Sequence, residues 1–149
     1  MIPSQENIIE IAQYVLSTMV QMETSPIELR EQETPQQITG CVQISGEWHG
    51  AVVLQTTHRF ASQAASVMLD QPESSLTEED LRDTLAEITN MIGGNIKSQV
   101  PGPSFLSIPS VTSGTDFDFR LKGASTLSSI SLDCHNEPLR ISLCQRDES

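Results

Sequence analysis

Residues 77–100 read TEEDLRDTLAEITNMIGGNIKSQV, and this stretch decides the fold. At about 100° per residue, aliphatic side chains fall on one side of a helix, and polar or small residues fall on the other side. The aliphatic set is Leu81, Leu85, Ile88, Ile92 and Ile96, and the opposite set is Asp83, Glu87, Asn90 and Gly94. The stretch therefore predicts an amphipathic helix with one face in the core and the other exposed.

Both ends of this helix are marked in the sequence. Thr77 is a favourable N-cap, and residues 78–80 are acidic, which suits the first turn of a helix. Leu76 is placed to pack on Leu81 across the cap. Pro101-Gly102-Pro103 ends the helix, because proline cannot continue it.

The interior of the helix contains residues that weaken it. Asn90, Gly93 and Gly94 are poor helix formers and together cost about 2 kcal/mol relative to alanine. An ordinary solvated face would not need them, and it would alternate its acids with lysine or arginine. The sequence therefore favours a functional site at Asp83, Glu87 and Asn90, with Gly94 leaving room for another molecule to approach.

The rest of the chain predicts two more helices and about six strands. Spacing of apolar residues predicts helices over residues 4–22, with Ser4 as N-cap, and over about 57–69. Alternating or β-branched runs predict strands over residues 37–44, 48–56, 105–111, 117–121, 127–132 and 139–143. Residues 24–35 stay open between a linker and a short edge segment. We expect one α+β domain over residues 1–149, with a mostly antiparallel sheet arranged as a meander and three helices.

Composition excludes several classes of function. The chain has 149 residues and a net charge of −12, which argues against nucleic acid and against an anionic membrane surface as partners. No apolar run is long enough to span a bilayer, and the N-terminus lacks signal-peptide features, so we expect a cytoplasmic protein. The odd set Cys41, Cys134 and Cys144 lacks metal-ligand spacing, as do the three histidines, so we expect buried free thiols and no metal site.

The motif Asp83-x-x-x-Glu87-x-x-Asn90, continued by Gly93-Gly94 and later by Ser107-Ile108-Pro109, carries a resemblance. It resembles the signature of the CheC/CheX/FliY chemotaxis phosphatases, and most of all the CheX type. The family pattern has an Asp or Ser, a Glu four residues on, an Asn three further, and a Pro some twenty residues later. Pro109 follows Asn90 by nineteen residues, somewhat closer than in the wider family.

The resemblance implies a substrate, a mechanism and an assembly. The substrate would be a CheY-like response regulator phosphorylated on aspartate, and the receiver would supply Mg²⁺, so the chain would need no cofactor of its own. Asn90 would orient the attacking water, and Glu87 would pair with the receiver's lysine. Asp83, Gly94 and Pro109 would contact the partner. The CheX type also implies a homodimer.

Two alternatives remain open on sequence alone. A non-catalytic adaptor could bind a receiver or a flagellar-switch protein through the same helix face. The phosphatase could also act on a signalling receiver outside chemotaxis. The first helix carries Glu10 and Gln13 where CheC-type relatives have a second active pair, but Gln replaces Asn, so we expect that helix to be structural.

Overall fold

The computed structural model describes residues 2–113 and 124–146, with three α-helices among them. They are α1 (Gln5–Met19), α2 (His58–Leu69) and α3 (Glu78–Lys97). Ser4, Thr57 and Thr77 each cap a helix by accepting a hydrogen bond from a backbone N–H in its first turn. The predicted helices are thus confirmed, and so are the N-caps predicted at Ser4 and Thr77. The first helix is shorter than predicted, because Gln21 adopts a left-handed φ of 56° just beyond its end.

The described strands form a single antiparallel sheet of seven strands. In chain order they are β1 (Ser25–Ile27), β2 (Ile38–Gly46), β3 (Gly50–Thr56), β4 (Ser104–Leu106), β5 (Ser110–Ser113), β6 (Ala124–Cys134) and β7 (Glu137–Arg146). Their order in the sheet is β1-β6-β7-β3-β2-β4, and β5 also pairs with β2. The α+β class is confirmed, but the simple meander is wrong, because β3 pairs with the distant β7.

Two differences in the strands have local causes. The single strand predicted over residues 105–111 is two strands, β4 and β5, interrupted at residues 107–109, where Pro109 has no N–H to donate to a ladder. Residues 24–35, for which the sequence allows a linker or a short edge segment, contain the edge strand β1. This strand and the division into β4 and β5 give seven described strands. The strand predicted over residues 117–121 lies outside the described residues.

One face of the sheet is covered by the three helices, and α3 packs on β2 and β3 between α1 and α2. Leu85, Ile88, Ile92 and Ile96 are fully buried, and Leu81 is nearly so. The predicted core face of α3 is therefore confirmed. Within the described residues, no helix is both long and apolar enough to cross a membrane.

Glycine allows α3 to approach β2 closely at two points. A Cβ built on Gly93 would overlap the side chain of Val42, and one built on Gly40 would overlap the hydroxyl of Thr89. That hydroxyl is buried and donates to the carbonyl of Leu85 at 2.7 Å, so its polar group is satisfied. Gly93 is therefore a packing residue, a role that helical spacing alone does not predict.

The three cysteines are buried and free, as expected from the sequence. Burial, together with the nearby Cys144, raises the pKa of Cys41 to about 11. Burial, together with Asp133, also raises the pKa of Cys134 to about 11. At neutral pH these groups are thiols, the less reactive form of cysteine.

The adjacent glycines of α3 provide a matched pair of variants for testing this packing. Gly93→Ala should destabilise the protein by about 1 to 3 kcal/mol, because the added methyl overlaps the buried Val42 side chain. Gly94→Ala should stabilise it by up to about 1 kcal/mol through helix propensity, because the nearest atom to its added methyl is Leu106 Cδ2 at 4.0 Å. Urea unfolding of both variants measures the difference. Equal stabilisation by both would contradict the close approach of α3 to β2.

Candidate functional site

The four residues singled out opposite the core face of α3 lie together on one side of the helix. We call Asp83, Glu87, Asn90 and Gly94 the α3 stripe. Asp83 and Glu87 are exposed, whereas Asn90 and Gly94 are half-buried. At about 1.5 Å per residue, the stripe is about 16 Å long. Its side chains therefore form one continuous surface that a partner can contact.

The first turn of α3 is held by a capping box and by neighbouring elements. Thr77 and Asp80 exchange side-chain hydrogen bonds with each other's backbone N–H groups, at 3.1 and 2.9 Å. Glu78 pairs with His58 of α2 at 3.0 Å and accepts a hydrogen bond from Ser113 of β5 at 3.2 Å. The hydrogen bond from His58 is the main cause of a lowered pKa for Glu78. These contacts fix the start of α3 against both α2 and the end of β5.

The other end of α3 lies against β4. Leu106 is the nearest neighbour that a Cβ on Gly94 would meet, so this part of the stripe borders the β4 edge of the sheet. Near the start of the helix, Arg82 donates to Ser113 at 3.4 Å. The helix therefore runs antiparallel to the chain from β4 to β5.

This arrangement places Pro109 alongside α3, between the two strands that contact the helix. The helix rises about 18 Å from Arg82 to Gly94, and the extended chain from Leu106 to Ser113 covers about 23 Å. Because Leu106 lies near Gly94 and Ser113 near Arg82, residues 108–109 lie at an intermediate level along the helix, about that of Asn90. Pro109 itself is half-buried.

The connection between β4 and β5 is tied to β2 through Ser107. The Ser107 backbone N–H donates to the carbonyl of Gln43 at 2.9 Å, and its hydroxyl accepts from the Gln43 N–H at the same distance. The hydroxyl also donates to the carbonyl of Ile108 at 3.1 Å. Ile108 is nevertheless 90% exposed, which the alternation of residues in the sequence did not reveal.

The stripe presents polar groups that the rest of the described structure leaves available. Within residues 2–113 and 124–146, the side chains of Asp83, Glu87 and Asn90 have no hydrogen-bond or salt-bridge partner in the protein. In the same ranges, no group of three or more His, Cys, Asp or Glu residues is placed to hold a metal ion. The stripe offers carboxylates and an amide, which can bind cations or orient water.

The stripe lies on the face of α3 opposite the core. A cavity of about 600 Å³ lies near the opposite edge of the sheet, lined by residues that include Gln5, Pro26, Ser129 and Arg140. None of the stripe residues lines it. Because small molecules bind in concave sites, the exposed stripe is better suited to a macromolecular partner.

The corresponding position on α1 has a different environment. The Gln13 side-chain amide donates to the carbonyl of Thr24 at 3.1 Å and is partly buried. This hydrogen bond ties α1 to the segment that leads into β1. The structural role expected for the first helix stays a prediction.

Comparison with solved structures finds the same fold in several chemotaxis proteins. CheX from Vibrio vulnificus superposes with a TM-score of 0.76 at 22% identity, over 92% of each chain. A chain of the CheX-CheY-BeF₃-Mg²⁺ complex from Borrelia burgdorferi gives a TM-score of 0.74 at 18% identity, over 99% of this chain and all of that one. FliY from Thermotoga maritima gives 0.57 at 12% identity, over 93% and 84%. At these identities the likeness concerns the fold.

A comparison with curated protein sequences finds no match. The model of the family described as chemotaxis phosphatase CheX matches residues 38–133, which include all of α3 and the connection from β4 to β5. The match covers well over half of the chain and contains every residue of the stripe together with Pro109. This chain therefore belongs to the CheX family of chemotaxis phosphatases.

Proposed function

We propose that this protein accelerates hydrolysis of the aspartyl phosphate on a CheY-like response regulator, using the α3 stripe. The observation that carries the proposal is the pairing of an exposed Glu87 with Asn90, one turn apart on a helix face with no internal partner among the described residues. Membership of the CheX family supports the same reaction class. The solved CheX-CheY complex of Borrelia burgdorferi supports a receiver as the partner.

Asn90 is the residue we assign to the attacking water. An acyl phosphate is already reactive, so its hydrolysis depends mainly on placing a water molecule in line with the phosphorus. An amide offers both a donor and an acceptor without carrying a negative charge. A carboxylate at the same position would repel the phosphoryl group. The half-buried position of Asn90 restricts its side chain, which favours one orientation.

Glu87 is the residue we assign to anchoring the receiver, by pairing with the lysine of the receiver's active site. We assign supporting contacts with the receiver to Asp83, Gly94 and Pro109. Charge stabilisation in the transition state would come from Mg²⁺ bound by the receiver, as the composition of the Borrelia burgdorferi complex suggests. The chain itself would then need no cofactor.

Single substitutions in the stripe should separate orientation of water from docking. Asn90→Ala should lower the maximal rate of receiver dephosphorylation at least about 100-fold and leave receiver binding nearly unchanged, because orienting the water matters only in the transition state. Glu87→Ala should weaken both binding and rate. Loss of phosphate from a labelled receiver, measured against receiver concentration, gives both quantities.

Asn95→Ala is the matched control for this experiment. The Asn95 amide donates to the carbonyl of Met91 within the same helix, at 2.8 Å, and lies off the stripe. Its replacement should leave the rate unchanged. Full activity of Asn90→Ala would overturn the assigned mechanism. Binding of a phosphorylated receiver by the unmodified protein without any acceleration would instead establish the adaptor.

We also propose that the protein forms a homodimer through the sheet. Among the described residues, β1 pairs with β6 only over Ser131–Asp133, which leaves the earlier part of that edge of β6 without a strand beside it. Unpaired edges are common sites of association between chains. This edge lies across the sheet from β4 and β5, which flank α3, so each subunit could still present its site.

Light scattering tests this assembly. At micromolar concentration we expect a mass of twice the 16.3 kDa of one chain. Ser129 lies in β6, in the part of this edge that β1 does not cover. A proline introduced there has no N–H to donate to a partner strand, so it should weaken a dimer formed through this edge. A mass of one chain for the unmodified protein would refute the dimer.

A further inference from the structure

Ile108 is the most exposed of the large apolar side chains among the described residues. It is 90% exposed, compared with 65% for Phe105 and 64% for Tyr14. A single exposed apolar residue is common on protein surfaces and does not by itself indicate a site. Its position and the way it is held are therefore the informative features.

The backbone at Ile108 is held on both sides. The strands before and after it, β4 and β5, both pair with β2. Ser107, between them, donates its N–H to the Gln43 carbonyl, and its hydroxyl accepts from the Gln43 backbone N–H. Pro109 also restricts the backbone of the residue before it to extended conformations. Ile108 thus projects from an ordered edge of the sheet, so little backbone entropy would be lost when it binds a partner.

Met91 is exposed on the other flank of the α3 stripe. Its side chain is 39% exposed and lies about 100° around the helix from Asn90, on the side away from β4 and β5. Ile108 lies at about the level of Asn90 on the near side. The polar stripe is therefore bordered by an apolar side chain on each flank, a rigid one and a flexible one.

We propose that Ile108 and Met91 are the apolar docking contacts for the receiver domain, on either side of Glu87 and Asn90. This inference rests on the proposed function, since it names contacts for the same partner. The occupant is a phosphorylated receiver, whose metal ion and lysine carry positive charge that complements the carboxylates of the stripe. Apolar contacts around that centre exclude water and stabilise the complex. They also select among receivers by the shape of the surface surrounding the phosphorylation site.

The test measures dephosphorylation of CheY-like receivers from the same organism at varied receiver concentration. Ile108→Ser should raise the half-saturating receiver concentration about tenfold and change the maximal rate less than about twofold, because docking is a ground-state interaction. Met91→Ser should act in the same direction and more weakly, because Met91 is already partly covered. Neither change should alter the circular dichroism spectrum or the unfolding midpoint appreciably.

Val67→Ser is the matched control. Val67 is an apolar side chain on α2, 38% exposed and away from the stripe, and its replacement should leave both kinetic quantities unchanged. A rise in half-saturating concentration for Val67→Ser equal to that for Ile108→Ser would overturn the proposal. So would a fall in maximal rate for Ile108→Ser at unchanged half-saturation.

Binding to a receiver activated with beryllofluoride separates failure of this inference from failure of the proposed function. If Ile108→Ser binds normally while Asn90→Ala is inactive, the docking contacts are wrong and the phosphatase stands. If the unmodified protein binds without hydrolysis and Ile108→Ser binds about tenfold more weakly, the docking contacts stand and the phosphatase fails. Absence of both binding and hydrolysis in the unmodified protein overturns both.

Discussion

Close packing of α3 on β2 is the interaction on which the rest of the structure depends. Gly93 and Gly40 remove the two side-chain methyl groups that would hold the helix away from the sheet. Val42 and Thr89 occupy the space that results. Because the helix is seated at this depth, its aliphatic face reaches the core made by β2, β3 and β7, and α1 and α2 pack on its two sides. The same contact determines which residues of α3 remain on the surface.

The ends and the buried face of α3 explain how a helix with unfavourable residues is tolerated. Caps at its start, acidic residues in its first turn and Lys97 in its last turn all stabilise it. The buried aliphatic face of the helix stabilises the protein much more, since each fully buried large aliphatic side chain contributes about 1.5 to 3 kcal/mol. Asn90 and Gly94 can therefore serve a surface role without unfolding the helix.

The sequence predicted the parts of the structure that depend on local chemistry. The N-caps at Ser4 and Thr77, the core face of α3 and the hairpin of β2 and β3 follow from capping side chains, helical periodicity and β-branched runs. The pairing of β3 with β7 was not predictable in this way, because strands distant in sequence pair according to the packing of the whole domain. Pro109 marks the interruption between β4 and β5, although the pattern of residues 105–111 predicts a single strand.

The candidate site also contains residues that local sequence patterns predict and residues that they do not. The stripe from Asp83 to Gly94 could be located because helical spacing alone puts its members on one face. The role of Gly93 could not, since it depends on Val42, a residue some fifty positions earlier in the chain. The exposure of Ile108 could not be predicted either, because it lies in the interruption between β4 and β5, where the alternation of a regular strand is lost. Burial of the cysteines, by contrast, followed from their position in strands.

The stripe and the connection from β4 to β5 are separate segments of the chain that share one surface. The stripe belongs to a helix whose other face is committed to the core, so the buried positions of that helix cannot vary freely without loss of stability. The connection is held by backbone hydrogen bonds that do not depend on the side chain at position 108. Evolution can therefore replace the side chain that meets a partner while the helix stays unaltered, and paralogues could diverge in the proteins they recognise without redesigning their chemistry.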